Sequence, residues 1–544
     1  MADRANDGLA ARGWEGRPAG RRARRHTLGD LLHRSAVKHP DKLAIACGAV
    51  RWTYAEFDRL SDRLAAGLAG QGVTKGSRVA ILARNSHAFV AMRFALARLG
   101  AVLVPINFML KAEEIAFILR HAGVTMVASD TALAPLARAS AALDTEVKDL
   151  LWLPAEEDSD FQADMIDFEV LAACRAAMPD VRLEGNDLLQ IAYTSGTESL
   201  PKGAMLTHEA VMWQYVSCIA DAGIACEDLA LHSLPLYHCA QLDVFFGPSI
   251  YVGATNIITG RPTPENLLPM MARYRISSFF APPTVWISLL RSPLFDSTDL
   301  SALRKGYYGA SIMPVEVLRE LLQRLPNVSF WNLYGQTEIA PLAAILGPQD
   351  QLRKAGSCGR AALNVETRIV DESMREVAPG VVGEIVHRSP HLMLGYLKDD
   401  ERSAAAFQDG WFHSGDLAFA DEEGYITIVD RKKDMIKSGG ENVASREVEE
   451  ALYRLPQVSE VAVIGIPHPH WIEAVVAVVV IKQGLSLTEI EVQRHCGATM
   501  ASFKSPKRVV FVDALPKNPS GKLLKRELRG AYSTLFTPGP IDPL

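Results

Sequence analysis

Residues 79–105 decide the fold class and read VAILARNSHAFVAMRFALARLGAVLVP. The first four, Val79–Leu82, are apolar and predict a short buried strand. A helix is predicted over Ser86–Leu99, because serine can cap its start and a glycine follows its last residue. Ala101–Pro105 is a second apolar strand, so the stretch predicts one strand–helix–strand unit.

The same alternation continues on both sides of this stretch. Apolar residues at helical spacing predict helices at Thr27–Lys38, Tyr54–Gln71, Leu110–His121, Pro264–Tyr274 and Pro283–Leu290. Short apolar runs predict strands between them, at Leu43–Ala46, Leu188–Ala192, Ile250–Ile258 and Ser277–Ala281. Alternation of this kind predicts an α/β fold whose layered sheets are largely parallel.

The pattern of predicted helices and strands changes twice in the second half of the sequence. From Leu363 to Gly424, short strands between glycine and proline turns predict a small β-rich subdomain. After Asp434, alternating helices and strands predict a separate α+β domain of about 100 residues. We therefore predict a disordered Arg-rich extension over 1–26, a large multi-subdomain α/β domain over 27–432, the small domain over 433–530 and a tail over 531–544.

Charge and composition argue against several classes of protein. A net charge of −6 over 544 residues gives no electrostatic basis for binding nucleic acid or an anionic membrane. No run of about 18 apolar residues occurs, so no transmembrane segment is predicted. The seven cysteines are scattered without a Cys-x-x-Cys pair, which favours reduced thiols and a cytoplasmic protein. The sequence leaves the oligomeric state open, a homodimer included.

The strongest local signal is the run YTSGTESLPKG at residues 193–203. It follows an apolar strand and precedes a helix predicted to begin near Thr207. Backbone N–H groups and hydroxyls of such a loop can wrap a phosphate chain, and Lys202 adds a positive charge. The order of residues differs from that of a Walker A loop. Alone, a loop of this composition is more often an ordinary turn.

Three further motifs carry aromatic or charged side chains. The run YGQTE at 334–338 offers a flat ring for a purine and a carboxylate for Mg²⁺ on a triphosphate. The run SGD at 414–416 offers a carboxylate for vicinal ribose hydroxyls, and the run DRKKD at 430–434 supplies an arginine. The run PKNPSGK at 516–522 presents a lysine on a loop shaped by prolines and a glycine. Each motif alone is equally compatible with a solvated turn.

Together these motifs resemble the class I adenylate-forming superfamily, which contains acyl-CoA synthetases, adenylation domains of peptide synthetases and luciferases. The resemblance covers residues 27–530, where the motifs occur in family order at family-like intervals. The run KSGGEN at 437–442 is similar to that of acyl-CoA synthetases in particular. The resemblance implies a large domain followed by a small, mobile α+β domain.

The resemblance also implies roles in nucleotide binding. The β- and γ-phosphates of ATP would be held by Thr194, Ser195, Gly196, Thr197 and Lys202. The adenosine and the α-phosphate would contact Asn332, Tyr334, Gly335, Thr337, Asp416 and Arg431. Glu338 would bind Mg²⁺.

For the acid and CoA, the resemblance implies a second set of residues. Lys522 would bridge the carboxylate of the acid and the α-phosphate, and His238 would lie beside that carboxylate, with a packed histidine as the alternative. Space for the acid would be left by Gly309 and Ala310, with Tyr307 and Tyr308 narrowing it. Lys433 would be the pivot of a domain rotation, and the pantetheine passage would be lined by Gly439 and Gly440.

The activity implied is ATP-dependent formation of an acyl-adenylate, release of pyrophosphate and transfer of the acyl group to CoA. A fatty acid is the first expectation for the substrate, and an aryl or branched acid is the second. An amine or a carrier-protein thiol as acceptor, and a non-catalytic relative, are the alternatives. The chain departs from the family pattern at Glu198-Ser199, where Thr-Gly is usual.

Overall fold

A computed structural model describes residues 23–157, 160–194, 201–311, 313–431, 435–438, 441–468, 470–518 and 521–536. The strands, in chain order, are β1 Leu43–Cys47, β2 Val50–Thr53, β3 Arg78–Leu82, β4 Val102–Pro105, β5 Met126–Ser129, β6 Asp149–Trp152, β7 Ile166–Asp167, β8 Leu188–Thr194, β9 Lys202–Thr207, β10 Leu229–His232, β11 Thr255–Ile258, β12 Ser278–Phe280, β13 Lys305–Gly309, β14 Ser329–Gly335, β15 Leu342–Leu346, β16 Arg360–Ala361, β17 Glu366–Val370, β18 Gly383–Arg388, β19 Phe407–Gln408, β20 Trp411–Ala420, β21 Ile426–Arg431, β22 Ile436–Ser438, β23 Glu441–Val443, β24 Val458–His468, β25 Ile472–Ile481 and β26 Arg508–Phe511.

The helices connect these strands and cover the sheets. They span Leu28–Lys38, Tyr54–Gly70, His87–Leu99, Ala112–Ala122, Ala134–Ala141, Phe168–Ala172, His208–Ala222, Gly247–Val252, Pro264–Tyr274, Pro283–Arg291, Val315–Arg324, Asp400–Ala406, Ser445–Tyr453, Glu489–Thr499 and Lys525–Ala531. A π-helix occupies Ala240–Phe246. Among the helices of the described ranges, none combines the length and apolar character that a membrane crossing requires.

Two large sheets form the centre of the N-terminal domain. The nine-stranded sheet has the order β16-β15-β14-β13-β12-β10-β11-β1-β2, and the seven-stranded sheet has the order β7-β6-β5-β3-β4-β8-β9. Pairing is parallel except at the edges, where β2, β15, β16 and β9 run antiparallel to their neighbours. The predicted α/β fold with largely parallel sheets is confirmed.

The largest core lies between these two sheets. It joins residues of the nine-stranded sheet, such as Ile45 and Ile258, to residues of the seven-stranded sheet, such as Val79 and Leu103. The helix His87–Leu99 runs through it with every residue buried. Buried apolar surface on this scale is the main favourable term in folding and holds the two sheets in a fixed relation.

The second half of the chain has the two smaller sheets that its sequence predicts. An antiparallel sheet of β17, β18, β19, β20 and β21 forms the β-rich subdomain. A mixed sheet of β22 to β26, with the helices Ser445–Tyr453 and Glu489–Thr499 packed on it, forms the C-terminal α+β domain. The large and small domains of the prediction are therefore both present.

One local prediction is wrong. The predicted strand Ile250–Ile258 begins as the end of the helix Gly247–Val252, and the strand β11 starts only at Thr255. A short apolar run does not distinguish a buried helix from a strand, and here Gly253, at φ 84°, ends the helix. The helix predicted to begin near Thr207 is confirmed, since it spans His208–Ala222 with Thr207 as its N-cap. The strand before it, β9, was not predicted and pairs antiparallel with β8.

Candidate active site

A cavity of about 410 Å³ opens where four strands end. Thr194, Phe280, Gly309 and Gly335 are the last residues of β8, β12, β13 and β14, and each lines it. The carboxyl ends of parallel strands are the usual place for a ligand in α/β folds. The predicted site residues that line this cavity are Thr194, Lys202, His238, Gly309, Ala310, Tyr334, Gly335, Thr337, Glu338 and Lys522.

One side of the cavity carries the residues predicted to hold phosphates and Mg²⁺. Thr194 and Lys202 face each other across the β8–β9 pair, so the loop between them starts and ends at the cavity. Tyr396 contacts both Lys202 and Glu338. Lys202 Nζ lies 4.9 Å from the Tyr396 ring centroid, and Tyr396 Oη donates to Glu338 Oε1 at 2.9 Å. Ser195, Gly196 and Thr197 lie outside the described residues, as do Glu198 and Ser199.

The residues predicted for the nucleoside form a hydrogen-bonded group. Tyr334 Oη donates to Asp416 Oδ2 at 2.7 Å, and Gln336 Nε2 donates to the main-chain oxygen of Ser414 at 3.1 Å. Asp416, only 4% exposed, pairs in register with Arg431 on the adjacent strand. The Asn332 side chain instead donates to the main-chain oxygen of Ser357 at 2.9 Å, and Asn332 is not among the residues that line the cavity.

His238 and Lys522 both line the cavity, and the charge of Lys522 acts on the His238 imidazole. Burial, and then the charge of Lys522, lower the pKa of His238 to about 4, so its imidazole is neutral at pH 7. Its Nδ1 accepts a hydrogen bond from the main-chain N–H of Ala240 at 3.1 Å. The ring proton therefore resides on Nε2, where it can be donated to a carboxylate oxygen.

The loop that carries Lys522 is docked against the large domain. Within the loop, the Lys522 main-chain N–H donates to Asn518 Oδ1 at 2.8 Å, and Asn518 also lines the cavity. Across the domain interface, Thr284 Oγ1 donates to the main-chain oxygen of Gly521 at 3.0 Å. A Cβ at Gly521 would lie 2.5 Å from Thr284 Oγ1 and 2.6 Å from Pro282 Cγ, so only glycine permits this approach.

Two further contacts hold the C-terminal domain in this position. Arg446 Nη2 donates to the main-chain oxygen of Gly356 at 2.5 Å. The carboxylate of Glu450 accepts a hydrogen bond from the main-chain N–H of Val315, at the start of a helix of the large domain. The predicted pivot Lys433 and the predicted passage residues Gly439 and Gly440 lie outside the described residues.

The prediction that Tyr307 and Tyr308 narrow the acid pocket is wrong. Tyr308 Oη donates to Gln351 Oε1 at 2.6 Å inside a separate core cluster, and its side chain is 2% exposed. Tyr307 Oη donates to the main-chain oxygen of Ala222 at 2.8 Å. Neither residue lines the cavity, because each is directed into the packing beside the sheet rather than toward its carboxyl edge.

A buried polar network supports the floor of the site. Arg93 donates to Asp243 Oδ1 at 2.5 Å and to Gln190 Oε1 at 2.6 Å, and Gln190 Nε2 donates to Asp243 Oδ2 at 2.8 Å. Asp243 belongs to the π-helix whose Ala240, together with neighbouring residues, lines the cavity. Gln190 belongs to β8, so the network joins the π-helix to the strand that precedes the residues predicted to bind phosphate.

Sequence reasoning did not identify several residues that the fold brings to the cavity, among them Tyr396, Phe245, Phe280, Leu333 and Phe412. They belong to none of the motifs. A candidate signal exists only for Phe245, which lies seven residues after His238 in the sequence.

We expect Asp416→Ala to weaken the binding of ATP by about tenfold or more while the affinity for the acid changes little. The mutation would remove the charge-assisted hydrogen bonds that Asp416 is predicted to make to ribose hydroxyls, which are worth about 1.5–3 kcal/mol each. Isothermal titration with ATP and, separately, with the acid measures both affinities. Glu422→Gln, at an exposed carboxylate in the turn after β20, is the control. Equal losses for ATP and acid would contradict the assignment of Asp416 to ribose.

Comparison with known proteins identifies the family. The family described as AMP-binding enzyme matches residues 32–397, and the AMP-binding enzyme C-terminal domain matches residues 447–522. These two matches cover the large and the small domain. The predicted superfamily is thereby confirmed.

Similar proteins match the chain along nearly its whole length. A feruloyl-CoA synthase of Amycolatopsis sp is 37% identical over 94% of this chain and 100% of its own. The long-chain-fatty-acid–CoA ligase FadD13 of Mycobacterium tuberculosis is 37% identical over 89% of this chain and 94% of its own. The crystal structure of ATP-bound MatB from Rhodopseudomonas palustris superposes with a TM-score of 0.84 at 30% identity, covering 94% of this chain and 100% of that one. The chain therefore belongs to the AMP-binding enzyme family, as an enzyme of the AMP-forming acid:CoA ligase type.

Proposed function

We propose that the protein activates an apolar monocarboxylic acid with ATP and transfers the acyl group to the thiol of CoA. The observation that carries this proposal is the meeting of His238 and Lys522 in the cavity that also holds Thr194, Tyr334 and Glu338. A hydrogen-bond donor and a cation stand where an acid carboxylate could approach a bound triphosphate.

In the first half-reaction a carboxylate oxygen of the acid attacks the α-phosphorus of ATP. The bond from that phosphorus to the bridging oxygen breaks, and pyrophosphate leaves with the electron pair. The main obstacle is the approach of two anions. Lys522 offsets this repulsion with its positive charge, and the neutral His238 can donate from Nε2 to the second carboxylate oxygen.

In the second half-reaction the sulfur of CoA, as the thiolate, attacks the acyl carbon. The bond from the acyl carbon to the phosphate oxygen breaks, AMP leaves, and the thiol proton passes to solvent. The sulfur must reach the face where Lys522 stands in this structure, so we propose that the C-terminal domain rotates between the two steps, about Lys433. This rotation would bring Gly439 and Gly440 to the passage of the pantetheine arm.

The residues present fit a magnesium ion that accompanies the triphosphate. Mg²⁺ is usually held by one or two carboxylates together with substrate phosphates and water, and Glu338 is a carboxylate on the cavity wall, 9% exposed. Tyr396 orients that carboxylate through one of its oxygens. A bound ion would neutralise phosphate charge, and Glu338 would hold it.

The acid is proposed to be apolar and to carry a single carboxylate. The charged side chains that line the cavity are Lys202, Glu338 and Lys522, and all three belong to the motifs for nucleotide and carboxylate. The remaining lining offers no described cation for a second carboxylate. The fatty acid predicted from the sequence and its aryl or branched alternative both satisfy this description.

The test combines two assays on one panel of acids. Pyrophosphate exchange into ATP, measured without any acceptor, reports adenylation. Mass spectrometry of products with CoA, with simple amines, with a carrier-protein thiol and with no acceptor reports the second step. We expect exchange to depend on the acid and a thioester to form with CoA. Exchange followed by amide formation with amines, and no thioester with CoA, would contradict the proposed acceptor.

A further inference from the structure

Two of four mutually packed aromatic rings line the cavity. The rings of Phe245 and Phe280 are stacked, with centroids 4.2 Å apart and planes at 18°, and both line the cavity. Tyr307 lies behind Phe245 at 5.0 Å, and Trp331 stacks on Tyr307 at 5.1 Å. We call these four residues the aromatic wall.

The aromatic wall is fixed to the scaffold. Phe280, Tyr307 and Trp331 belong to the adjacent parallel strands β12, β13 and β14. The exposed fractions are 5% for Phe245, 3% for Phe280 and 0% for Tyr307, and Tyr307 is further held by its hydrogen bond to Ala222. Close-packed side chains on neighbouring strands do not part without losing contacts on every side.

The cavity also has small and aliphatic residues along its wall. Its lining includes Ala240, Val244, Gly309, Ala310, Leu333 and Leu342. The Gly309 backbone packs closely on β14, since a Cβ at this position would lie 2.3 Å from the main-chain oxygen of Leu333. Part of the cavity lining is therefore apolar, and the rings of Phe245 and Phe280 belong to this part.

We infer that the aromatic wall selects compact acids that carry an aromatic ring close to the carboxylate, and that it excludes long straight-chain fatty acids. This inference rests on the proposed function and narrows its substrate class. A planar ring can pack on Phe245 and Phe280 in an offset-stacked or edge-to-face arrangement, which an alkyl chain cannot do. A long chain that extends past Phe245 and Phe280 would have to displace these two rings, which Tyr307 and Trp331 support from behind.

The experiment measures kcat/KM for pyrophosphate exchange with benzoate, 3-phenylpropanoate, cinnamate, hexanoate, dodecanoate and hexadecanoate. We expect the aryl acids to exceed hexanoate by about two- to tenfold, as ring–ring packing predicts. Dodecanoate and hexadecanoate should be much poorer than hexanoate. In Phe245→Ala the order of acids should change, because kcat/KM for 3-phenylpropanoate should fall and kcat/KM for dodecanoate should rise. Phe245→Leu tests the same shift if the alanine variant does not fold.

Phe246→Ala is the matched control. Phe246 is the next residue of the same π-helix and is fully buried, but its ring packs on Phe94 and His232 and does not line the cavity. The Phe246→Ala variant should be less stable than the wild type but should keep the same order of kcat/KM among the acids. A wild-type enzyme that prefers dodecanoate or hexadecanoate overturns the inference and leaves the proposed function standing. No exchange with any acid overturns both, and an identical shift in Phe246→Ala overturns the role of the wall.

Discussion

Lys522→Ala is expected to lower the rate of adenylation by about 10²–10³-fold, the usual cost of losing one electrostatic contact to a developing charge. Lys522 lines the cavity and lies close enough to His238 to depress the pKa of its imidazole. Its loop is already docked on Thr284, so the charge is positioned before the reaction starts. Thioester formation from supplied acyl-AMP should continue, because that step needs no approach of carboxylate to triphosphate.

The measurement compares pyrophosphate exchange with single-turnover thioester formation on the same variant. Lys517→Ala is the matched control: it removes a lysine from the same loop, but Lys517 pairs with Glu460 at 2.6 Å and does not line the cavity. This variant should keep both rates near those of the wild type. Near-normal exchange in Lys522→Ala would refute its place in the chemistry, and equal loss of both rates would indicate damage to the fold.

Acidification from pH 7 to pH 5 is expected to destabilise the folded protein strongly. Burial lowers the pKa of six histidines to about 4 or below: His87, His208, His232, His238, His387 and His391. Between the ordinary pKa of about 6.5 and these values, the unfolded chain binds protons that the folded chain does not. Stability therefore falls as the pH falls, by up to about 1.4 kcal/mol per histidine per pH unit.

Even a fraction of the stability loss summed over the six histidines is comparable to the total stability of about 5–15 kcal/mol that is typical of native proteins. Urea denaturation at pH 7.5, 6.5, 5.5 and 5.0 measures the slope of the unfolding free energy against pH. His87→Phe should reduce that slope by about one proton, because the His87 ring is 5% exposed and packs on Trp52 at 5.2 Å. Stability that is flat or rising from pH 7 to pH 5 would contradict the account.

Helices were predictable where their ends are encoded locally. Ser86 accepts a hydrogen bond from the N–H of Phe89 and starts its helix, and Gly100, at φ 66°, ends it. These signals lie within a few residues of the structure that they specify. The strand β9 had no such signal, since it is defined by pairing with β8 and by main-chain hydrogen bonds to the distant residues 394–397.

The same difference separates the predicted from the unpredicted parts of the candidate site. Residues such as Thr194, Glu338 and Lys522 lie in short motifs with a recognisable order, and all three line the cavity. Tyr396 and Phe280 come from segments with no motif, and only the folded chain places them beside those residues. Tyr308 was expected to narrow the acid pocket, but it packs elsewhere and donates a hydrogen bond to Gln351. Its position in the sequence does not indicate which face of the sheet its side chain lies on.

The close approach of Gly521 to Pro282 and Thr284 has an evolutionary consequence. Any change in the first two bases of a glycine codon gives either a stop or a residue that carries a Cβ, and a Cβ here collides with the other domain. The colliding atoms belong to the large domain, so a variant could still form its C-terminal sheet and yet hold Lys522 away from the cavity. Selection at this codon should therefore act through catalysis, in molecules that fold and accumulate normally but turn over slowly.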